Sequence, residues 1–362
     1  MIYLGWFVVF DGFTSFHGDA GSYLLIARKW SPWLAPGFAE ISTWPLQSYP
    51  PIYPLLLAFS GGSQSLWGAH LLTLLCLGAA LALFFRYHCS PISPLLGLMI
   101  AALFLLLPGT LYTSFGIMSE NLFLALVLLV LGLAHGKDES PGLWISLYVC
   151  LALAILTRSA GLALIPALIM IRPGKYTISY CFCSLLTLLV WNQISPLAHL
   201  PGYLDFLKDL SLADHFQFVR LNISQLPLAW QTYLAGPLQS LPLAIASWLS
   251  FAIVLFFTMS RASHGHLEAL FCLCFFLVLL LWPFPTNYRF IQPVVLILLL
   301  QPAAALGKRS WPVYLLIALP LFAAQSELWQ RYWKADPDQR HSRDYYLLED
   351  QTEARSRAAG YA

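Results

Sequence analysis

The sequence predicts an all-α polytopic membrane protein, and three observations carry that reading. Of 362 residues, 59% are hydrophobic and only 10% charged, where a soluble domain carries about 25% charged residues. The mean hydropathy is +0.70. Apolar runs near the ~20 residues a bilayer crossing needs recur along the chain with short interruptions.

The first apolar segment, Met1–Phe10, would form about 15 Å of helix, roughly half a bilayer core. It lacks the basic start and small-residue cleavage site of a signal peptide, so a partial span or a start lying upstream is expected. The later runs fall at about residues 64–85, 94–112, 119–135, 142–157, 159–171, 175–194, 238–259, 267–283, 290–306 and 310–325. Together they make about eleven transmembrane helices.

The connectors fall into two groups. Arg86–Pro91, His135–Pro141, Arg172–Lys175, Arg261–His266 and Gly307–Ser310 are short, whereas Asp11–Gly62 and Ser195–Pro237 are long. Alternation puts the short group on one face and both long loops on the other. Basic residues in the short connectors, such as Arg86, Lys137, Arg172 and Lys308, place that face in the cytoplasm by the positive-inside rule. The decorated face, with outer loop 1 at about 11–62 and outer loop 2 at about 195–237, is then extracytoplasmic and the better place to look for function. Interfacial helices are expected in both loops, where Trp30, Trp33, Trp44, Tyr49, Tyr53, Trp230 and Tyr233 suit the headgroup belt. The module spans residues 1–325, and a polar, loosely ordered tail is expected over 326–362.

A net charge of +2 argues against a nucleic-acid partner, because no dense basic patch exists to neutralise phosphates. The seven cysteines lie mostly in apolar runs and are read as packing residues; Cys181/Cys183 and Cys272/Cys274 lack histidine or acidic companions nearby. His264-Gly265-His266 lacks such partners too. Asn222-Ile223-Ser224 fits the glycosylation acceptor pattern in an outer loop, which matters only in a eukaryotic source, and a bacterial inner membrane is expected here.

Charged residues beside apolar helices are costly unless paired, which makes them functional candidates. Asp19 opens a polar stretch with Tyr23 four residues on, the same helical face; a plain helix cap is its alternative. Ser119-Glu120 heads an apolar run, again open to a capping role. Arg158 is wedged between two runs, and Arg289 follows Asn287-Tyr288 between two more. By alternation Asp19, Glu120, Arg158 and Arg289 share one face. Guanidiniums suit a phosphate, and a carboxylate can deprotonate an incoming hydroxyl.

These residues carry a resemblance. Asp19-Ala20-x-x-Tyr23-x-x-Ile26-Ala27, then Tyr49-Pro50-Pro51-Ile52-Tyr53-Pro54, Ser119-Glu120, Leu156-Thr157-Arg158 and Tyr288-Arg289-Phe290 are similar, in order and spacing, to the GT-C superfamily of membrane glycosyltransferases. The nearest likeness is to the branch of protein O-mannosyltransferases and lipid A aminoarabinose transferases. It covers about residues 10–305. The resemblance implies an inverting transfer of a sugar from a polyprenyl-phosphate carrier to an acceptor on the outer side of the membrane. Asp19 would be the catalytic carboxylate, with Glu120 supporting it. Arg158, Arg289 and Tyr288 would hold the donor phosphate, and Tyr23, Tyr49 and Tyr53 would shape the cavity. Where many relatives have a second acidic residue, this chain has Ala20. No cofactor is expected; a divalent ion, used by some GT-C branches, stays open, as do the sugar and whether the acceptor is lipid, glycan or protein. Two alternatives stand beside it. One is a lipid-linked sugar flippase or transporter. The other is a polysaccharide polymerase or ligase using His199, Lys208, His215 and Arg220 of outer loop 2.

Overall fold

This computed structural model describes residues 19–32, 49–62, 65–89, 92–136, 140–194, 210–236 and 240–334. The expected N-terminal segment, His17, Trp33, Trp44, His199, Lys208 and the tail beyond Lys334 lie outside the described residues. Everything described is helix or connector, with no strand among the described residues. In chain order the helices are α1 Asp19–Trp30, α2 Ile52–Phe59, α3 Leu66–Leu83, α4 Pro94–Leu106, α5 Pro108–Phe115, α6 Glu120–Ala134 and α7 Pro141–Thr157. Then follow α8 Leu164–Ile171, α9 Lys175–Ile194, α10 Leu212–Ala235, α11 Leu241–Ser263, α12 Leu267–Leu280, α13 Tyr288–Leu306 and α14 Trp311–Lys334.

Helix starts follow local chemistry. Ser93 and Ser140 cap α4 and α7 by accepting from the amides of Leu96 and Leu143, and each is followed by a proline in the first turn, where the missing N–H costs nothing. Pro108 has the opposite effect within the run expected at 94–112: α4 and α5 meet at a 69° bend, because a mid-helix proline removes a ladder bond and clashes with the preceding turn. Gly307, at φ 55°, ends α13 in a backbone region open to glycine. The chain then reverses, and Tyr314 on α14 donates to the Leu299 carbonyl at 2.6 Å.

Among the described residues, three helical stretches are long and apolar enough to cross a membrane, Trp67–His88, Leu241–Ser263 and Tyr288–Phe322, or four if the bent α4–α5 pair counts as one. Glu120–Ala134, Pro141–Thr157, Ser159–Ile171 and Leu267–Leu280 are apolar but shorter. α9 and α11 turn Ile178, Phe182, Trp248 and Phe256 outward, an exterior compatible with an apolar solvent.

α6 sits centrally, packed on α3, α7 and α13, and α12 packs on α8, α11 and α13. A smaller cluster joins α1 and α2 through Tyr23, Ile26, Tyr53 and Leu57. Two expectations change. Within outer loop 2 lies a 24-residue helix, α10, and its Trp230 and Tyr233 are fully buried. Their polar tips bond Ser250 at 3.0 Å and Thr110 at 2.7 Å, so the ring edges that would have sought headgroups are satisfied inside the bundle. Gly109 permits this approach, since a Cβ there would stand 2.3 Å from the Tyr233 ring. Tyr49 and Tyr53 are likewise buried. At the other end, α14 continues to Lys334, past the start expected for a loose tail.

Candidate functional site

The four charged residues singled out in the sequence each sit at an element boundary. Asp19 is the first residue of α1, Glu120 the first of α6, Arg158 separates α7 from a short 3-10 turn over Ser159–Ala163, and Arg289 is the second residue of α13. That is how four distant segments deliver charge to one place. Asn287 fixes the last of them by accepting from the Arg289 amide at 3.0 Å.

The structure brings all four together. Arg289 Nη2 donates to Asp19 Oδ2 at 2.6 Å, and the Tyr49 hydroxyl donates to Asp19 Oδ1 at 2.9 Å. Arg158 Nη1 lies 2.8 Å from Glu120 Oε1, and Arg289 Nε approaches the same oxygen at 3.8 Å. Glu120 is fully buried. The N–H directions miss it, however, so neither of its oxygens accepts an aligned hydrogen bond. Two guanidiniums therefore hold this carboxylate by charge more than by directed bonds. A buried charge without such partners would cost several kcal/mol, on the order of 3–5. Around the quartet, Ser119 Oγ takes Arg158 Nη1 at 3.1 Å and faces the Tyr23 hydroxyl at 3.0 Å. Behind it Gln292 donates to Asn121 at 2.8 Å.

A small cavity of about 30 Å³ opens beside this network, room for one or two water-sized groups. Asp19, Tyr23, Tyr49 and Arg158 form its polar side; Phe275, Val278, Leu279 and Phe290 form an apolar side. Arg158 also lies over the Phe290 ring, 5.9 Å from its centroid. Glu120 and Arg289 stand behind the lining and touch it through Arg158 and Asp19.

Two expected site residues lie elsewhere. Tyr288, expected beside a donor phosphate, is buried with its ring 5.4 Å from that of Tyr112. Tyr53 is buried against Thr73, 2.8 Å from its hydroxyl; burial pushes its phenol far above the ordinary range, so it remains a neutral prop for Tyr23, 5.2 Å away. Ala20, where relatives of the resembled family carry acid, is fully buried, a position at which an added charge would have no solvent.

Asn222, which fits the glycosylation acceptor pattern, is fully buried and uses both ends of its amide. Nδ2 donates to the carbonyls of Leu280 and Trp282 at 3.4 and 2.9 Å, while Oδ1 accepts from the Thr286 amide and hydroxyl at 2.8 and 3.1 Å. It thereby fastens the connector from α12 to α13, including cavity residue Trp282. Its motif signalled surface, and only the fold shows a clamp. Of the residues behind the polymerase or ligase alternative, His215 and Arg220 ride on α10 and neither lines the cavity.

Comparison with protein-family models, curated proteins and solved structures finds no match to this chain.

Proposed function

We propose that this chain is an inverting membrane glycosyltransferase that moves a sugar from a polyprenyl-phosphate-linked donor to an acceptor hydroxyl at the extracytoplasmic boundary of a bacterial inner membrane. In this reading it is multi-pass, with about eleven spans and the shorter apolar helices completing the bundle. The observation that carries the proposal is one cavity lined by a carboxylate, Asp19, a guanidinium, Arg158, and apolar residues of α12. The chemistry of that lining suits the tail, phosphate and reacting hydroxyl of such a substrate, while the cavity, with room for one or two water-sized groups, must widen to admit it.

Each residue then has a chemical task. The acceptor hydroxyl gives its proton to Asp19 as its oxygen bonds the anomeric carbon; the carbon–oxygen bond to phosphate breaks, and polyprenyl phosphate leaves with the electron pair. Arg158 stabilises the charge growing on that phosphate, an effect strengthened where water is excluded. Arg289 positions Asp19 by holding one oxygen, and Tyr49 holds the other. A carboxylate oxygen has two lone pairs, so each retains a place for the acceptor proton. Glu120 balances both guanidiniums.

The test is transfer from a radiolabelled polyprenyl-phosphate sugar by purified Asp19→Asn protein. Removing a general base lowers turnover by about 10²–10⁴-fold while membrane insertion and donor binding persist. Wild-type turnover in that variant would overturn the assignment.

A further inference from the structure

At the other end of α6, fifteen residues from Glu120 and so about 22 Å away, lies a second ionisable cluster, buried at His88 and Glu268, with no role in the proposed transfer. His88 closes a π-helical turn, Phe84–His88, that extends α3; such turns re-aim side chains and favour functional positions. His88 Nδ1 is 3.1 Å from Glu268 Oε1, and His135 Nε2 is 3.4 Å from the same oxygen. The remaining ring nitrogens face main-chain carbonyls, His88 Nε2 to Leu128 at 3.0 Å and His135 Nδ1 to Leu131 at 2.7 Å.

Proton counting makes this arrangement informative. All four ring nitrogens face oxygens when Glu268 is ionised, three in hydrogen-bond geometry and His135 Nε2 as a looser ion-pair contact at 3.4 Å. A neutral imidazole carries one N–H, so two neutral rings and a carboxylate would leave two of these contacts as lone pair against lone pair. His88 is almost wholly buried and Glu268 nearly so, where such a contact finds no water to relieve it. We propose that His88, His135 and Glu268 form a proton-binding site that holds at least one proton beyond the two neutral imidazoles, and that this proton ties together the ends of three helical segments.

The surroundings fit. His135 is half exposed, its side chain 47% accessible, which gives the proton a way in and out. Its bond to Glu268 raises its proton affinity, with burial opposing. The neighbouring charges are Arg172, which donates to the Gly136 carbonyl beside His135, and Arg261, bonded to Gln301 at 2.9 Å and close enough to Glu268 to feel it. Arg86 on the π turn is occupied over the Tyr87 ring. His264 bonds the Ser260 carbonyl. Burial, then the Arg261 charge, holds His266 below the usual imidazole range. Cys272, one turn along α12, is a buried thiol. Arg261 interacts favourably with the ionised Glu268 carboxylate, which places the shared proton on imidazole, whereas the Arg172 charge opposes it on His135. α6 and α12 each run from this triad to the candidate site: α6 ends at Glu120, and α12 carries Phe275, Val278 and Leu279 of the cavity wall.

The experiment is nitrogen NMR of the full chain in detergent with labelled histidine, near pH 8, where an ordinary imidazole is roughly 3% protonated. The expected result is at least one imidazolium with both nitrogens protonated, which disappears in His135→Gln or Glu268→Gln. Should either variant fail to fold, the wild-type spectrum alone decides. Nine neutral histidines at that pH would overturn the proposal. So would neutral rings whose unprotonated nitrogens respond to added Zn²⁺, the pattern of a metal site, or an imidazolium unchanged in both variants. None of these outcomes depends on glycosyl transfer.

Discussion

The two ends of α6 solve the same problem with different chemistry. At Glu120 two carboxylates meet two guanidiniums; at His135 one carboxylate meets two imidazoles. Guanidinium groups keep their charge across any working pH, so the first network is balanced two against two and constant. Imidazoles change charge near neutrality, so the second is set by its proton count. A fixed network suits a place where geometry must hold during chemistry. A titrating one suits a tie that solution conditions can loosen.

That contrast breaks most sharply at Asp19. Asp19→Asn is expected to remove sugar transfer by about 10²–10⁴-fold, whereas His135→Gln leaves transfer near wild type at neutral pH; equal losses in a radiolabel assay would erase the distinction between the two ends. Next is Glu120→Gln, which leaves two guanidiniums facing one carboxylate in a buried setting. A loss of about 3–5 kcal/mol in stability, read by denaturant unfolding in detergent, is expected. Arg158→Lys sharpens the assignment within the site. It keeps the charge but not the planar fork, so a loss approaching the roughly 10²–10³-fold typical of a transition-state donor should appear in turnover, with folding unchanged. Asn222→Ala removes the clamp on Trp282 and is expected to cost about 1–3 kcal/mol, measured as a fall in thermal midpoint.

The smallest effect is on pH. The folded-state proton affinity of His135 is raised, chiefly by Glu268, so its contribution to stability is complete below about pH 6.5 and is lost as pH rises through the raised value. Thermal midpoints of wild type should therefore fall on alkaline titration more than those of His135→Gln.

Much of the helical layout was legible in the sequence. The apolar runs recover α3, α6, α7, α9, α11, α12 and α13 within a few residues, and the start of α14, because apolar composition and capping Ser–Pro pairs are local signals. The break at Pro108 is legible from its missing backbone donor, which hydropathy, counting only apolar residues, does not register. Charge at helix ends was legible too, and it led to Asp19, Glu120, Arg158 and Arg289. Partner identity was not. Tyr288 adjoins Arg289 in sequence yet packs on Tyr112, and Glu268 follows an apparently unpartnered His264-Gly265-His266 yet pairs with His88 and His135.

By itself the sequence determined that this chain is helical, that its helices are apolar enough for some to cross a membrane, and that its few charges stand at their ends. Local backbone preference and hydrophobicity suffice for that. Only the tertiary structure decided which charges share a site, that Trp230, Tyr233 and Asn222 are interior, and that a second ionisable cluster exists. Those facts depend on contacts such as the one between Asp19 and Arg289. Each such bond is made by helices brought side by side, and nothing near either residue in the chain names the other.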